Sequence, residues 1–256
     1  MQNLIKILNE LKQTGASGIK ISFEDEGALL NEMTTMRYLT ATTGLEMSVK
    51  ISGCEAKRDI VECIDLCSDS IVAPMVESKF SLHKFIQSIR QYNYKGKIGF
   101  NLETISSYNS LEELIELFDN IDFVTFGRVD FVGSLDKNRD FVYSDEIYNM
   151  VQNVFKSVKN NNKKCYLGGA ISIKSRDFVK KLLDNNLLDR FETRYIIFNA
   201  KNIIDFEYAL YIANVFEVEW MKYISERYNE YSMKDRKRIK MIEDRLENNE
   251  FKKMKI

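Results

Sequence analysis

Residues 97–130 read KIGFNLETISSYNSLEELIELFDNIDFVTFGRVD, and three patterns follow one another in this stretch. Lys97–Glu103 and Asp122–Gly127 are mostly apolar runs of strand-forming residues. Between them, Leu111–Phe118 has apolar residues at helical spacing and begins after Ser110, a favourable N-cap residue. A strand, a helix and a strand in this order predict a βαβ unit, in which both strands belong to one parallel sheet.

The same alternation of short strands and helices continues on both sides of this unit. Seven strands preceded by a helix predict an α/β fold, namely a TIM-type (β/α) barrel that lacks its first strand. An open, doubly wound sheet is the alternative, because the two folds share this alternation. Residues 128–141 are predicted to form a loop. The predicted strands are Gly18–Phe23, Glu46–Ile51, Ser70–Met75, Lys97–Glu103, Asp122–Gly127, Lys164–Gly168 and Arg194–Asn199.

The chain is predicted to have two parts, a barrel domain over residues 1–202 and a C-terminal helical extension over residues 203–256. The pattern from residue 203 onward is continuously helical, apolar on much of its surface as far as residue 224 and highly charged afterwards. We expect the apolar part to pack on the barrel or on a neighbouring subunit. Burial of such a face on another subunit would make the protein a homo-oligomer.

The composition excludes several classes of protein. The 256 residues are 45% hydrophobic and 29% charged, with a net charge of −1, so a nucleic-acid or membrane partner is not expected. Four cysteines without a C-x-x-C pair, together with a single histidine, argue against a structural zinc site. The sequence has neither a signal-peptide pattern nor an apolar run long enough to span a membrane. These features predict a cytoplasmic protein.

Acidic residues follow several of the predicted strands. In a parallel barrel the reacting groups lie where the strands end. Carboxylates that converge there repel one another unless a cation or a basic group neutralises them. A hard divalent ion held by two carboxylates, with open positions for water and substrate, would meet this need. The six carboxylates are Glu24, Asp25, Glu26, Glu77, Glu103 and Asp130.

Six segments resemble, in their order along the chain, the HpcH/HpaI aldolase and citrate lyase β-subunit family. In that family the corresponding segments are an acidic turn, a strand with the motif V-R, and a run that contains a proline. They are followed by a strand that ends in an acid and Thr, the beginning of a helix, and a segment with the motif G-x-x-D. The resemblance covers about residues 15–205. The segments are Phe23–Gly27 (FEDEG), Val49–Ile51 (VKI), Asp69–Ser78 (DSIVAPMVES), Gly99–Thr104 (GFNLET), Asn109–Leu114 (NSLEEL) and Gly127–Leu135 (GRVDFVGSL).

The resemblance implies a pyruvate-type barrel that binds Mg²⁺ or Mn²⁺ through Glu103 and Asp130. It implies a carbon–carbon lyase of the class II aldolase type, which cleaves or forms a 2-oxo acid through a metal-stabilised pyruvate enolate. A citrate-lyase-like or malyl-CoA-like lyase acting on an acyl-CoA is one alternative. A degenerate barrel that serves as a non-catalytic binding or assembly module is another. The expected partner is therefore a small 2-oxo acid or acyl-CoA.

The chain departs from the family at its basic groups. Lys50 stands where the family has an arginine, so the charge is kept and the bidentate fork is lost. Lys50 is expected to form an ion pair, contact an anionic substrate or form a Schiff base. The aldolases' histidine is absent, and Glu24, Glu26 or a metal-bound hydroxide would replace it as base. Asp65 matches the partner of that histidine, and Lys50, Glu24, Glu26 and Asp65 are thus the candidate catalytic residues.

Further residues are expected to bind the substrate. Arg128 is predicted either to contact a carboxylate or phosphate or to form a surface ion pair. Gly169 either allows close approach of the backbone to the site or forms a simple turn. No motif for a dinucleotide or a P-loop nucleotide occurs. The candidate substrate-binding residues are Lys50, Pro74, Asn101, Gly127, Arg128 and Gly169.

Overall fold

The computed structural model describes residues 1–247, and these contain a closed barrel of eight strands. This confirms the predicted barrel and excludes the open sheet. The part of the predicted C-terminal extension from residue 248 to residue 256 lies outside the described residues. The strands are β1 (Ala16–Ser22), β2 (Glu46–Lys50), β3 (Ser70–Ala73), β4 (Lys97–Leu102), β5 (Phe123–Gly127), β6 (Lys164–Gly168), β7 (Arg190–Glu192) and β8 (Ile196–Asn199).

The barrel is closed by a strand that runs in the opposite direction to the other seven. Strands β1 to β7 are parallel to their neighbours in chain order, whereas β8 is antiparallel to both β7 and β1. The chain enters the barrel through a helix, as predicted, but the predicted count of seven strands was one too few, because β7 was not recognised. The short strand β7 has only three residues, too few to show a pattern, and it forms a hairpin with β8 through residues 193–195. This hairpin leaves no open sheet edge.

Helices surround the barrel and connect its parallel strands. The predicted loop over residues 128–141 contains a short helix at its start, because the chain enters helical conformation directly after β5. The helices are α1 (Gln2–Gln13), α2 (Leu30–Thr43), α3 (Lys57–Asp65), α4 (Lys79–Gln91), α5 (Ile105–Asn109), α6 (Leu111–Ile115), α7 (Arg128–Ser134), α8 (Asp145–Asn160), α9 (Arg176–Asp184) and α10 (Phe206–Glu247).

The hydrophobic core lies mainly between the strands and the helices. Alternate strand residues such as Ile19, Val49 and Phe198 are buried there, because successive side chains of a strand point to opposite faces. The barrel interior is more polar and contains a separate cluster of Val72, Phe123 and Tyr166. The rings of Phe123 and Tyr166 stack with centroids 4.4 Å apart. Because the interior is polar, it can accommodate charged side chains at one end of the barrel.

Helix α10 packs on the barrel with its first half and extends past it with its second half. Phe216 and Trp220 are buried in the core, and Asn3 of α1 donates a hydrogen bond to Glu219 at 3.0 Å. Most residues from 221 to 244 are exposed. Packing on the barrel is thus observed, and packing on a neighbouring subunit stays a prediction. No described helix is both long and apolar enough to cross a membrane.

We expect Phe198→Ala to destabilise the fold by about 3–5 kcal/mol, because it removes a buried aromatic ring. Phe198 is fully buried and stacks on Phe191 of β7, with ring centroids 5.2 Å apart. Urea denaturation followed by circular dichroism measures the change in the free energy of unfolding. The control is Phe80→Ala, since Phe80 is 72% exposed and its loss should cost less than about 0.5 kcal/mol. Equal effects of the two substitutions would show that the hairpin is not part of the core.

Candidate active site

A polar pocket of about 410 Å³ lies at the carboxyl ends of the parallel strands. Eight of the residues singled out from the sequence line it, and they include both candidate metal ligands. They are Glu24, Asp25, Lys50, Asn101, Glu103, Gly127, Asp130 and Gly169. The structure thus brings together residues that are up to 145 positions apart, because parallel strands end on the same side of a barrel.

Glu103 is the most enclosed carboxylate of this pocket. It follows β4, is 2% exposed, and accepts hydrogen bonds from the Met75 N–H at 2.9 Å and the Asn101 side-chain amide at 3.0 Å. Gly127 leaves the space for it, because a Cβ at this glycine would lie 2.7 Å from Glu103 Oε2. Burial raises the pKa of Glu103 despite these hydrogen bonds and the nearby charge of Lys50. The carboxylate is therefore held in a fixed position with incomplete compensation of its charge.

Pro74 lies outside the pocket and directly precedes Met75, which holds Glu103. It is buried and is not among the residues that line the pocket, contrary to the expected contact with substrate. The next residue, Met75, has a φ of +49°, a conformation that costs energy for a residue with a side chain. Since the Met75 N–H donates to Glu103, this backbone conformation serves to hold the carboxylate.

Lys50 places a positive charge among the carboxylates of this pocket. Its Nζ lies 2.6 Å from Glu24 Oε2, and its side chain is 10% exposed. Burial alone would lower the pKa of Lys50, but the bond to Glu24 and the charge of Glu103 outweigh it and raise the pKa. An amine must be neutral to attack a carbonyl, so this environment disfavours a Schiff base at Lys50. The ion-pair interpretation of Lys50 agrees with the geometry.

Asp130 lies opposite, in the first turn of α7, and is exposed to the pocket. Partial burial and the negative charges of Glu24 and Asp25 raise the pKa of Asp130, although Lys50 counteracts them. Within residues 1–247, no group of three or more His, Cys, Asp or Glu residues is placed to hold a metal ion. A cation site here would consist of two protein carboxylates, Glu103 and Asp130, completed by other oxygen ligands.

The pocket also contains charged residues that the sequence analysis missed. Lys20 of β1 and Glu192 of β7 form an ion pair of 2.7 Å inside the barrel. The strand sequence GIKIS could have revealed Lys20, because period-two alternation places it on the face opposite to Ile19 and Ile21. No sequence pattern indicated Glu192, because β7 is too short to show the alternation of a strand. Arg139, Arg194, Asn214 and Glu217 also line the pocket, the last two from α10.

Arg128 is neither a surface ion pair nor a residue of the pocket, which corrects both expectations. It is fully buried, and its guanidinium donates to the carbonyl of Gly169 at 2.7 Å. The guanidinium carbon lies 4.7 Å from the centroid of the Phe178 ring. Burial lowers the pKa of Arg128 to about 10. Its hydrogen bonds to the chain after β6 give it a role in holding that loop.

Gly169 is required at this loop for close approach of two backbones. It has a φ of +78°, and a Cβ there would lie 2.7 Å from the backbone nitrogen of Val129. The chain after β6 therefore lies directly against the start of α7, the helix that carries Asp130. This contact sets the width of the pocket between β5 and β6, and it explains the glycine better than a simple turn does.

Two further candidates lie outside the pocket. Asp65 is exposed at the end of α3, the helix that leads back to the beginning of β3, so it is at the opposite end of the barrel from the strand ends. Glu26 points to a separate cavity beside α10. The sequence could not show this, because nothing in the three consecutive acidic residues Glu24 to Glu26 indicates which of their side chains points into the pocket. The single histidine, His83, is exposed on α4.

Comparison of the sequence with family models and with curated proteins finds no match. The fold is similar to that of citrate synthase SbnG, with a TM-score of 0.60 and 13% identity over 74% of this chain and 81% of that one. It is also similar to an HpcH/HpaI aldolase from Desulfitobacterium hafniense DCB-2, with a TM-score of 0.59 and 12% identity over 70% and 77% of the chains. An HpcH/HpaI aldolase/citrate lyase family protein from Burkholderia cenocepacia J2315 has a TM-score of 0.59 and 11% identity over 69% and 80%. These similarities establish the fold that the sequence motifs implied.

We expect Glu26→Gln to stabilise the protein at pH 8 by about 2 kcal/mol. Burial raises the pKa of Glu26 from 4.5 to about 7, and a shift of one unit corresponds to ~1.4 kcal/mol. The shift therefore corresponds to ~3 kcal/mol of lost stability. We subtract about 1 kcal/mol from it, because the buried glutamine amide of the variant would lack a hydrogen-bond partner. Because the folded-state pKa is raised, the folded protein binds the proton more tightly, and stability falls as pH rises from 4.5 to 7.

The measurement is urea denaturation of wild type and variant at pH 4.5, 6, 7 and 8. The difference in the free energy of unfolding between Glu26→Gln and wild type should be smallest at pH 4.5, grow through this range and level off above pH 7. Glu230→Gln, at an exposed position of α10, is the matched control and should show no such growth. A difference between Glu26→Gln and wild type that is independent of pH would contradict the raised pKa.

Proposed function

We propose that the protein is a divalent-metal-dependent carbon–carbon lyase of the class II aldolase type, which cleaves or forms a 2-oxo acid through a pyruvate enolate. The observation that carries this proposal is the convergence of Glu103, Asp130 and the charged Lys50 in one pocket at the strand ends. The likeness of the fold to citrate synthase SbnG and to HpcH/HpaI aldolases supports it at the level of the scaffold.

The donor atoms of the pocket suit a hard divalent cation. Glu103 and Asp130 provide carboxylate oxygens, which Mg²⁺ and Mn²⁺ prefer over nitrogen or sulfur ligands. Each has a raised pKa, so a cation between them would relieve unfavourable negative charge. When bound there, the metal would supply positive charge where an enolate oxygen develops negative charge. The two carboxylates leave the remaining coordination positions to water and substrate.

The basic residues would bind the anionic substrate. Lys50 is held by Glu24 and stays protonated, so it offers a second fixed positive charge beside Glu103. Arg139 and Arg194 line the same pocket and are suited to a substrate carboxylate, because a guanidinium matches its geometry. Electrostatic groups that are fixed before the reaction need no reorganisation during it.

Glu24 is the carboxylate best placed to accept a proton from the substrate. Of the two acids considered for this role, it lines the pocket and Glu26 does not. Its side chain is 35% exposed, and one of its oxygens is bonded to Lys50 Nζ. The other oxygen is available to accept a proton, and Lys50 would keep the carboxylate oriented.

We expect the protein to exchange the methyl protons of pyruvate with deuterium in D₂O when Mn²⁺ or Mg²⁺ is present. Enolisation precedes formation of the carbon–carbon bond, so exchange needs no knowledge of the second substrate. Asp130→Asn and Glu103→Gln should each lower the exchange rate at least about 100-fold, since they remove a charged oxygen ligand. One-dimensional proton NMR measures the rate.

Titration of Mn²⁺ by electron paramagnetic resonance tests the metal site without reference to activity. Both variants should lose tight binding, and Glu112→Gln, at an exposed position of α6, should retain it. Metal binding without pyruvate exchange would favour an acyl-CoA substrate over a 2-oxo acid. If neither exchange nor metal binding is detected, the lyase proposal fails and a non-catalytic barrel is the better interpretation.

A further inference from the structure

A second cavity of about 220 Å³ lies between the loop after β1 and helix α10. It is separate from the active-site pocket and has different walls. Its lining is mostly apolar and aromatic, with two carboxylates and no lysine or arginine. The lining residues are Ile21, Glu26, Ala28, Glu32, Tyr195, Trp220, Met221, Ile224 and Ser225.

Glu26 is the unusual residue of this cavity. Its side chain is 7% exposed, and its Oε2 atom is buried without a hydrogen-bond partner. The other oxygen lies 3.4 Å from Arg194 Nε, a long contact to a side chain that is itself 45% exposed. A buried carboxylate oxygen without a partner is costly, because it has lost its hydration and gained nothing in return.

The charged groups around Glu26 do not compensate for this burial. Burial raises the pKa of Glu26 to about 7, and Asp25 adds to the effect, while Lys20, Arg194 and Lys50 lower it. These groups belong to the loop after β1, the strands β1 and β2 and the β7–β8 turn. Among the described residues, helix α10 lines the cavity with Trp220, Met221, Ile224 and Ser225, none of which carries a charge, and its Tyr228 bonds to Glu32 and not to Glu26. The wall formed by α10 therefore adds no positive charge beside Glu26.

Glu32, the other carboxylate, is already paired. Its oxygens accept hydrogen bonds from the Leu29 N–H at 3.0 Å and from the Tyr228 hydroxyl at 2.6 Å. Tyr195 and Trp220 supply aromatic rings to the wall. A carboxylate beside aromatic rings is the environment in which proteins bind organic ammonium ions, because the ring faces and the carboxylate both attract positive charge.

We propose that this cavity binds a small organic ammonium ion, with the ammonium group at Glu26 and a short alkyl chain against Ile21, Ala28 and Ile224. The ligand's N–H groups would satisfy the Glu26 oxygen that lacks a partner. Its hydrocarbon part would fill the apolar wall. A neutral molecule of the same shape would gain only the second of these contributions.

The fluorescence of Trp220, the only tryptophan of the chain, reports on this cavity. The probe is n-butylammonium chloride, titrated into the full-length protein at pH 8 and constant ionic strength. We expect a saturable change in intensity or wavelength. The matched neutral probe, n-butanol, should bind at least about tenfold more weakly, because it lacks the charge.

The same titration at pH 6 should give about tenfold weaker binding of n-butylammonium. With a pKa of about 7, the ionised fraction of Glu26 falls from about 0.9 at pH 8 to about 0.1 at pH 6. The probe itself stays charged at both values. Binding should therefore follow the ionisation of Glu26 and strengthen as pH rises, and n-butanol should show no such dependence.

Glu26→Gln should weaken n-butylammonium binding at least about tenfold and remove its pH dependence, whereas Glu230→Gln should change neither. Circular dichroism establishes that the variants are folded. A response that does not saturate, that is equal for n-butanol, or that persists in Glu26→Gln would overturn the proposal. If Glu26→Gln does not fold, the comparison of the two probes at pH 6 and pH 8 in the wild-type protein decides alone.

Discussion

Each strand of a closed sheet must hydrogen-bond to a neighbour on both sides, and β8 meets this requirement between β7 and β1. Because it follows β7 through a short turn, it has to run antiparallel to the other strands. The hairpin then ends at the bottom of the barrel, where α10 begins. The direction of β8 therefore determines that α10 returns along the outside of the barrel beside α1, and that its first half reaches the strand ends, where Asn214 and Glu217 line the pocket.

The pocket at the strand ends concentrates negative charge that the protein's own basic groups only partly neutralise. Lys20 forms an ion pair with Glu192, and Lys50 forms one with Glu24. Glu103 is nevertheless kept in position by Asn101, by the strained backbone at Met75 and by the missing side chain at Gly127. Fixing a charge at a cost in stability is characteristic of functional sites, and it is the physical basis of the proposed metal site.

Much of the candidate site could be predicted from the sequence, because it depends on local patterns. An acid or a base at the end of an apolar strand, or within a few residues of it, is expected near the barrel mouth, and Lys50, Glu103 and Asp130 all lie there. The sequence pattern does not determine where a side chain points when neighbouring elements decide its direction. Arg128 also follows a strand, but the turn into α7 directs it into the core against Phe178. Glu26 follows Glu24 by two residues and faces α10 instead of the pocket.

The sequence by itself determined the α/β alternation, the order of the parallel strands and the carboxylates that meet at their ends. These features follow from hydrophobic periodicity and from the rule that parallel strands end on one side. Only the tertiary structure decided how the barrel closes, since the three residues of β7 become a strand only when β6 and β8 pair with them. It also decided that a buried carboxylate at Glu26 faces an apolar cavity, because the wall opposite comes from α10, nearly 200 residues away in the sequence.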